Sequence, residues 1–181
     1  QLEELNLKET KVEGPGFIHL KKLEKLKVLH MPNQVRGSGL EHLAGLKKLS
    51  RLDLRFTKVD GPGLKHLSKF HYLEDPSLAP QLVEGRSLTH LSGLKRLKIL
   101  NLRNMKVSDQ DLKAIASITS LMNLNLTHTQ LTDRGLAHLA SLTDLRVLEL
   151  ARCQVTDVGL ESLVHLKRLV NLNLDKTQVT D

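Results

Sequence analysis

An α/β solenoid, with a parallel β-sheet on its concave face and short helices on its convex face, is the fold class that three observations on this sequence predict. The first is a period. Aligned leucines open successive units at Leu2, Leu26, Leu49, Leu73, Leu97, Leu121, Leu145 and Leu169, every step being 24 residues except one of 23. The second is a change of spacing within each unit, from alternation at two residues to recurrence at three. The third is punctuation between those segments by Ser/Thr-Asp or Gly-Pro-Gly, which are helix-entry signals.

Each element follows from these patterns. In Leu97-x-x-Leu100-x-Leu102 the last two leucines alternate with polar residues. A short strand therefore turns Leu100 and Leu102 inward and Ile99, Asn101 and Arg103 outward, and stacked units form a parallel sheet. Val107-Ser108-Asp109 and Leu131-Thr132-Asp133 supply a Ser/Thr N-cap and an acidic first turn, and Leu112, Ile115 and Ile118 continue at a three-residue spacing. A short helix, or 3₁₀ turns, builds the convex back. Three units replace the cap. Glu13-Gly14-Pro15-Gly16 and Asp60-Gly61-Pro62-Gly63 put proline in the first turn, where its missing N–H costs nothing, and Arg36-Gly37-Ser38-Gly39 is a weaker version.

Leu121, Leu124, Leu126, Thr129, Leu131, Thr132, Asp133, Gly135, Leu136, Leu139 and Leu142 show the unit almost undiluted. It resembles the leucine-rich repeat family, whose units span ~20–29 residues and line a right-handed horseshoe. The Thr-dominated 24-residue form is similar to bacterial arrays, those of planctomycetes among them, and is related to the cysteine-containing, ribonuclease-inhibitor-like class. Residues 1–181 read as a single leucine-rich repeat domain whose last unit is incomplete. With no initiator Met, a start flush with a repeat and no polar capping unit, the sequence is read as a fragment of a longer protein, leaving Leu172 and Leu174 facing an unbuilt neighbour. It carries no signal-peptide pattern and no apolar run of the ~20 residues that cross a bilayer, so it is expected to be soluble, with its compartment open.

Two irregularities stand out. The unit from Leu26 lacks one residue between Met31 and Val35, and the unit from Leu73 reads Glu74-Asp75-Pro76-Ser77-Leu78-Ala79-Pro80. Pro76 stands where a strand leucine belongs and cannot donate to a central ladder, so a break or bulge is expected there. It is either drift in one unit or a kink that shapes a binding pocket.

Net charge is +7 and mean hydropathy −0.22, and the position of that charge matters more than its size. On the concave positions Lys8, Arg51, Arg55, Arg103, Arg152 and Lys176 stand against Glu4, Glu9, Asp53, Asp75, Glu149 and Asp175, which makes that face formally neutral. The excess recurs as Lys21-Lys22, Lys47-Lys48, Lys69, Lys95-Arg96 and Lys167-Arg168 near helix C-termini, where cations complement the helix dipole. An anionic polymer along that rim is the sharper reading. Aromatics at 2% leave few stacking platforms for single strands, so nucleic acid is not expected.

The chemistry-bearing residues argue against a metal or a hydrolytic site. His19, His42, His66, His90 and His138 repeat one helical slot. Packed helices lie ~8–10 Å apart, whereas zinc ligands converge to ~2.1 Å, so the ladder reads as half-buried packing. Cys153 occupies the slot of Thr10, Thr57, Thr129 and Thr177 and reads as a small core residue. His30, Asp53 and Ser77 share an outward column, but Asp53 would lie between the other two, the wrong order for a triad. No phosphate loop, paired-cysteine motif or cofactor signature is present. Asn6, Asn101, Asn125 and Asn173 share another column, where stacked amides would satisfy one another.

What remains is a surface. Arg51, Arg55, Phe56, Arg103, Asn104, His128 and Arg152 are expected on the inner face or its edge, and Arg and aromatic residues are the usual interface anchors. Phe56 is the one aromatic assigned there, since Phe17 and Phe70 fall on core positions and Tyr72 in a connecting turn. The sequence therefore predicts a non-enzymatic interaction module that binds a protein or peptide on its concave side. A structural spacer in a multidomain protein and the rim-bound anionic polymer are the alternatives.

Overall fold

The computed structural model describes residues 1–78 and 85–180, and Gly85 and Arg86 in backbone only. Ala79 and Pro80, part of the irregular unit, lie outside the described residues. Among the described residues seven three-residue strands repeat: β1 (Glu4–Asn6), β2 (Val28–His30), β3 (Arg51–Asp53), β4 (Ile99–Asn101), β5 (Asn123–Asn125), β6 (Val147–Glu149) and β7 (Asn171–Asn173). All pairings are parallel and keep the repeat register, Leu5 beside Leu29 beside Leu52, and Leu100 beside Leu124 beside Leu148 beside Leu172.

The leucine slots form one continuous core. Leu29, Leu52, Leu100, Leu124 and Leu148 are fully or almost fully buried, and Phe17 and Phe70 fill leucine positions at 0% and 1% exposure. Tyr72 is exposed on its turn, with the Arg96 guanidinium 4.3 Å above its ring. The one-residue deletion is absorbed locally: Met31 and Val35 both stay buried, and the Val35 N–H closes a turn on the Pro32 carbonyl. At the two ends of the stack Leu2 and Leu172 are partly uncovered, and Val170 is exposed.

Proline 76 divides the sheet. Strands β1–β3 form one sheet and β4–β7 another, and the described part of the unit between them contributes an isolated bridge, Arg51 to Asp75. In the preceding unit the Leu52 N–H donates to the Asp75 carbonyl. The equivalent donor one unit on is residue 76, and proline has no N–H to give. Its ring is buried in the leucine slot while the chain leaves the ladder at Ser77, which has a positive φ of 37°. The described pairing with the next unit rests on the Glu74 carbonyl, which accepts from Lys98 and Ile99.

The convex side differs between the two halves. Before the seam it is made of 3₁₀ helices, Gly14–Lys22, Gly37–Leu43 and Pro62–Lys69, whose glycine entries stack backbone on backbone. A Cβ on Gly37 would lie 2.5 Å from Gly63 Cα, so side chains there would drive the units apart. After the seam the unit from Leu73 still carries a 3₁₀ helix, Gly85–Leu91, and the following entries are α-helical: α1 (Asp109–Ile115), α2 (Asp133–Leu136) and α3 (Asp157–Leu160), the latter two continuing as 3₁₀ turns.

These α-helical entries are joined by a contact between units. The Asp133 carboxylate accepts from the Thr156 N–H at 2.8 Å and the Thr156 hydroxyl at 2.7 Å. Asp109 does the same for Thr132, and Asp157 for Thr180. The acidic first turn expected from the sequence is thus also a clasp on the following unit. It explains the recurring glycine, because a Cβ on Gly159 would lie 2.3 Å from Asp133 Oδ1 and one on Gly135 2.2 Å from Asp109 Oδ1. The first cap in the series has Gly85, not Asp, one unit upstream. Ser108 is closed instead by Asp111 in its own helix, whose carboxylate accepts from the Ser108 N–H and hydroxyl.

Candidate functional site

The concave face is built from the outward strand positions and the turn that follows them. In five units the turn residue that follows the strand by three positions has positive φ although it is not glycine: Glu9, Asn104, His128, Arg152 and Lys176, between 55° and 60°. This left-handed conformation costs a non-glycine residue roughly 1–2 kcal/mol. It is held by the next unit, because the N–H groups of Asn104, His128 and Arg152 donate to the carbonyls of Thr127, Ala151 and Asp175. The result is a row of exposed side chains at fixed positions along one edge of the sheet.

Six of the seven residues expected on this surface line two adjoining depressions. One, of about 310 Å³, is bounded by Arg55, Phe56, Leu78, Asn101, Arg103, Asn104 and Met105. The other, of about 430 Å³, continues from Asn104 and Met105 to His128, Gln130, Arg152 and Gln154. Phe56 is 65% exposed beside buried Leu78 and Met105, so the floor between the arginines is apolar. The His128 ring Nδ1 lies 3.0 Å from Asn104 Oδ1, which fixes its orientation. Arg51 belongs elsewhere, to a polar hollow with Glu4, His30, Asp53, Arg55, Asp75 and Ser77.

That hollow also gives Arg55 a partner. Its Nε and Nη2 both donate to the Asp53 carboxylate at 2.9 Å, while the side chain as a whole stays 54% exposed. Lys8 Nζ approaches the same carboxylate to 2.8 Å and the His30 ring to 3.4 Å. The Arg55 guanidinium, then Lys8, hold the Asp53 carboxyl well below the usual carboxylate range against the opposing effect of burial. The formally neutral face is therefore segregated. Charges near β1–β3 neutralise one another, whereas Arg103 and Arg152 make no ion pair among the described residues.

Two comparisons with known proteins bear on this geometry. The family model described as "Leucine Rich repeat" matches residues 117–140 and 141–164. The crystal structure of internalin C2 from Listeria monocytogenes superposes with a TM-score of 0.75 at 22% identity, over 99% of this chain and 74% of that one. The chain folds as a leucine-rich repeat solenoid. A second Listeria monocytogenes internalin, inlF, gives a TM-score of 0.62 at 21% identity, and the chain spans 63% of its length. No curated protein matches the sequence.

Within the leucine-rich repeat frame the other candidate groups take structural positions. Ser77 Oγ donates to Asp75 at 2.9 Å and His30 faces Asp53 and Glu4, so no described nucleophile is paired with a base in this column. The histidine ladder is half-buried at four of its five positions, His19 being exposed, and burial together with Lys65 and Lys69 holds His66 below the usual imidazole value. Among the described residues no three His, Cys, Asp or Glu side chains converge on a metal position, and no helix is long and apolar enough to cross a membrane. Cys153 is buried, with its Sγ 3.1 Å from the Leu126 carbonyl that Thr129 also caps.

The asparagine column does not form the stacked amides expected. Asn6, Asn101, Asn125 and Asn173 each turn Oδ1 back to the N–H two residues on, closing the turn after their own strand. Among the described contacts of this column, Asn173 reaches a neighbouring strand, donating to Glu149. Sequence reasoning missed both this capping and the left-handed turn row. An Asn two residues before the turn is a readable signal for the first; for the second, residues as different as Glu, Asn, His, Arg and Lys give none.

Proposed function

We propose that this solenoid is a non-enzymatic recognition module whose concave edge binds a protein or peptide through Arg51, Arg55, Phe56, Arg103, Asn104, His128 and Arg152. The observation that carries the reading is the pair of adjoining depressions between Phe56 and Arg152, which share Asn104 and Met105 and combine an apolar floor with convergent polar side chains. Clefts of this size with few, fixed polar groups are the usual form of a ligand site. Phe56 supplies the exposed aromatic anchor and Arg103 an exposed guanidinium that makes no ion pair among the described residues. Arg55 and Arg51 act on the flank, Arg55 by holding Asp53.

The test is selection of a displayed random peptide library on the full chain, followed by affinity measurement of the selected peptides. Interface anchors cost ~2 kcal/mol or more when truncated, so Phe56→Ala with Arg103→Ala should weaken binding well over tenfold. Lys47→Ala with Lys48→Ala, on the exposed convex rim, should change it little. If the rim variant loses binding and the concave variant keeps it, the rim-bound anionic polymer is the better account. If the full chain selects no peptide above an unrelated control protein, the spacer reading replaces this one.

A further inference from the structure

We infer that one rim of the solenoid, from Lys25 to Arg96, is a second binding surface, independent of the concave edge, that takes a linear sulfated polysaccharide. The residues just ahead of the opening leucines build it. Before Leu26, Leu49, Leu73 and Leu97 stand Glu24-Lys25, Lys47-Lys48, His71-Tyr72 and Lys95-Arg96, with Lys69 in the same strip, and all are exposed. Among the described residues none of these Lys and Arg side chains makes an ion pair, whereas the cations that border the strip do, Lys27 with Glu3 and Lys98 with Glu74. A role at helix C-termini does not account for the strip. The same two slots in the next units hold Thr119-Ser120 and Thr143-Asp144, which also follow a helical segment and do without cations. The charges of the strip act together: hydrogen-bonded Lys27 holds the Glu3 carboxyl below its ordinary value, and Lys25 and Lys48 add to that effect.

Backbone hydrogen bonds hold the strip in line. The carbonyls of Glu3, Lys27, Ser50 and Glu74 each accept two N–H groups from the following unit, the last of them across the seam. From Lys25 to Arg96 is three unit steps, about 14 Å on the strand side and about 24–30 Å where helices pack. A single small anion spans neither length, so the occupant repeats its charge along a chain. Lysines dominate, and their ammoniums are flexible point charges that follow closely spaced sulfates without demanding the fixed planar geometry that arginine forks select. Nucleic acid fits less well. Tyr72 is the aromatic side chain of the strip, and the Arg96 guanidinium covers one of its faces at 4.3 Å, which removes a platform for stacked bases. The paired positions are all turns, so the strip offers no helix or strand to a duplex groove. An anionic bilayer would lie along the whole rim, including Thr119-Ser120 and Thr143-Asp144, which give it no charge to hold.

The experiment titrates heparin into the full chain at several salt concentrations. The rim variant carries Lys47→Gln, Lys48→Gln, Lys95→Gln and Arg96→Gln. A control removes the same charge from exposed positions elsewhere, through Lys11→Gln, Lys58→Gln, Lys113→Gln and Arg134→Gln. The parent should bind heparin with an affinity that falls steeply as salt rises; the rim variant should lose roughly tenfold or more together with most of that slope, and the control should stay within about threefold of the parent. Both variants should keep the parent's melting temperature, since exposed positions are changed. If the fourfold rim variant unfolds, Lys47→Gln with Lys48→Gln alone must still lose roughly threefold or more. Phe56→Ala with Arg103→Ala should leave heparin binding unchanged, so this inference and the concave-edge reading fail separately. No heparin binding at low salt, or equal losses in the rim and control variants, would overturn the inference. Tighter rim-dependent binding of duplex DNA at equal charge, or of phosphatidylserine-containing vesicles, would overturn the polysaccharide assignment.

Discussion

Removing the clasp between units should destabilise the fold in a way that identifies the clasp itself. Asp133 accepts two hydrogen bonds from Thr156, at 2.8 and 2.7 Å, and is only partly buried. Hydrogen bonds to charged groups contribute ~1.5–3 kcal/mol when well shielded. For a half-exposed carboxylate the two together amount to about 2 kcal/mol. In a chain of this size that lowers Tm by about 4–8 °C for Asp133→Ala. Gly159→Ala should cost a similar amount, since the new Cβ would lie 2.3 Å from Asp133 Oδ1 and must expel the carboxylate. In the double variant that clash is gone, and alanine is favoured over glycine in a helix by up to ~1 kcal/mol. Asp133→Ala with Gly159→Ala should therefore be no less stable than Asp133→Ala alone. Gly93→Ala, whose Cβ meets nothing within 4 Å, serves as the control. Thermal unfolding followed by circular dichroism decides the matter: additive losses near 4 kcal/mol would refute the clasp as the reason for the glycine.

Three further outcomes follow from the same structure. Pro76→Leu restores the missing donor at the seam between β3 and β4, so it should raise Tm and increase hydrogen-exchange protection at Ile99; an unchanged or lower Tm contradicts the seam assignment. The Asp53 carboxyl titrates below its ordinary value of 3.8, so its contribution is present above that pH and is lost as pH falls toward the lowered value. Asp53→Asn should accordingly be less stable than the parent at pH 7, with the gap closing below pH 3.8, and a gap that stays constant down to pH 2 rules this out. Arg152→Asn places a residue tolerant of positive φ at 59°, so stability should hold or rise by up to ~1 kcal/mol while affinity for a selected peptide falls; a joint fall would mean that Arg152 supports the fold.

Much of the fold was legible because each leucine slot is set by burial alone. Leu100, Leu124 and Leu148 are inward for the same reason that Ile99 and Asn123 are not, and Phe17 and Phe70 fit because only size and apolarity matter there. Pro76 was readable from a missing N–H. The clasps were not read because their partners lie 23 residues apart: Thr132-Asp133 has a sufficient local meaning as a cap, and its Thr156 contact appears only when units are stacked. The pattern that could have shown it is Asp, Thr and Gly at i, i+23 and i+26, as in Asp133, Thr156 and Gly159. At the candidate site the column positions were readable, but commitments between side chains were not. Arg55 and Arg103 look alike in sequence, yet one is locked on Asp53 two residues before it and the other follows Asn101, whose amide closes only a backbone turn.

The claim that the concave edge is the recognition surface is tested most directly by photo-crosslinking a selected peptide to the full chain. A photoreactive side chain would replace Phe56, which is 65% exposed on the depression floor, or Lys47, exposed on the convex rim. The account predicts efficient crosslinking from position 56, suppressed by excess unlabelled peptide, and background levels from position 47. Crosslinking from position 47 with none from position 56 would contradict it.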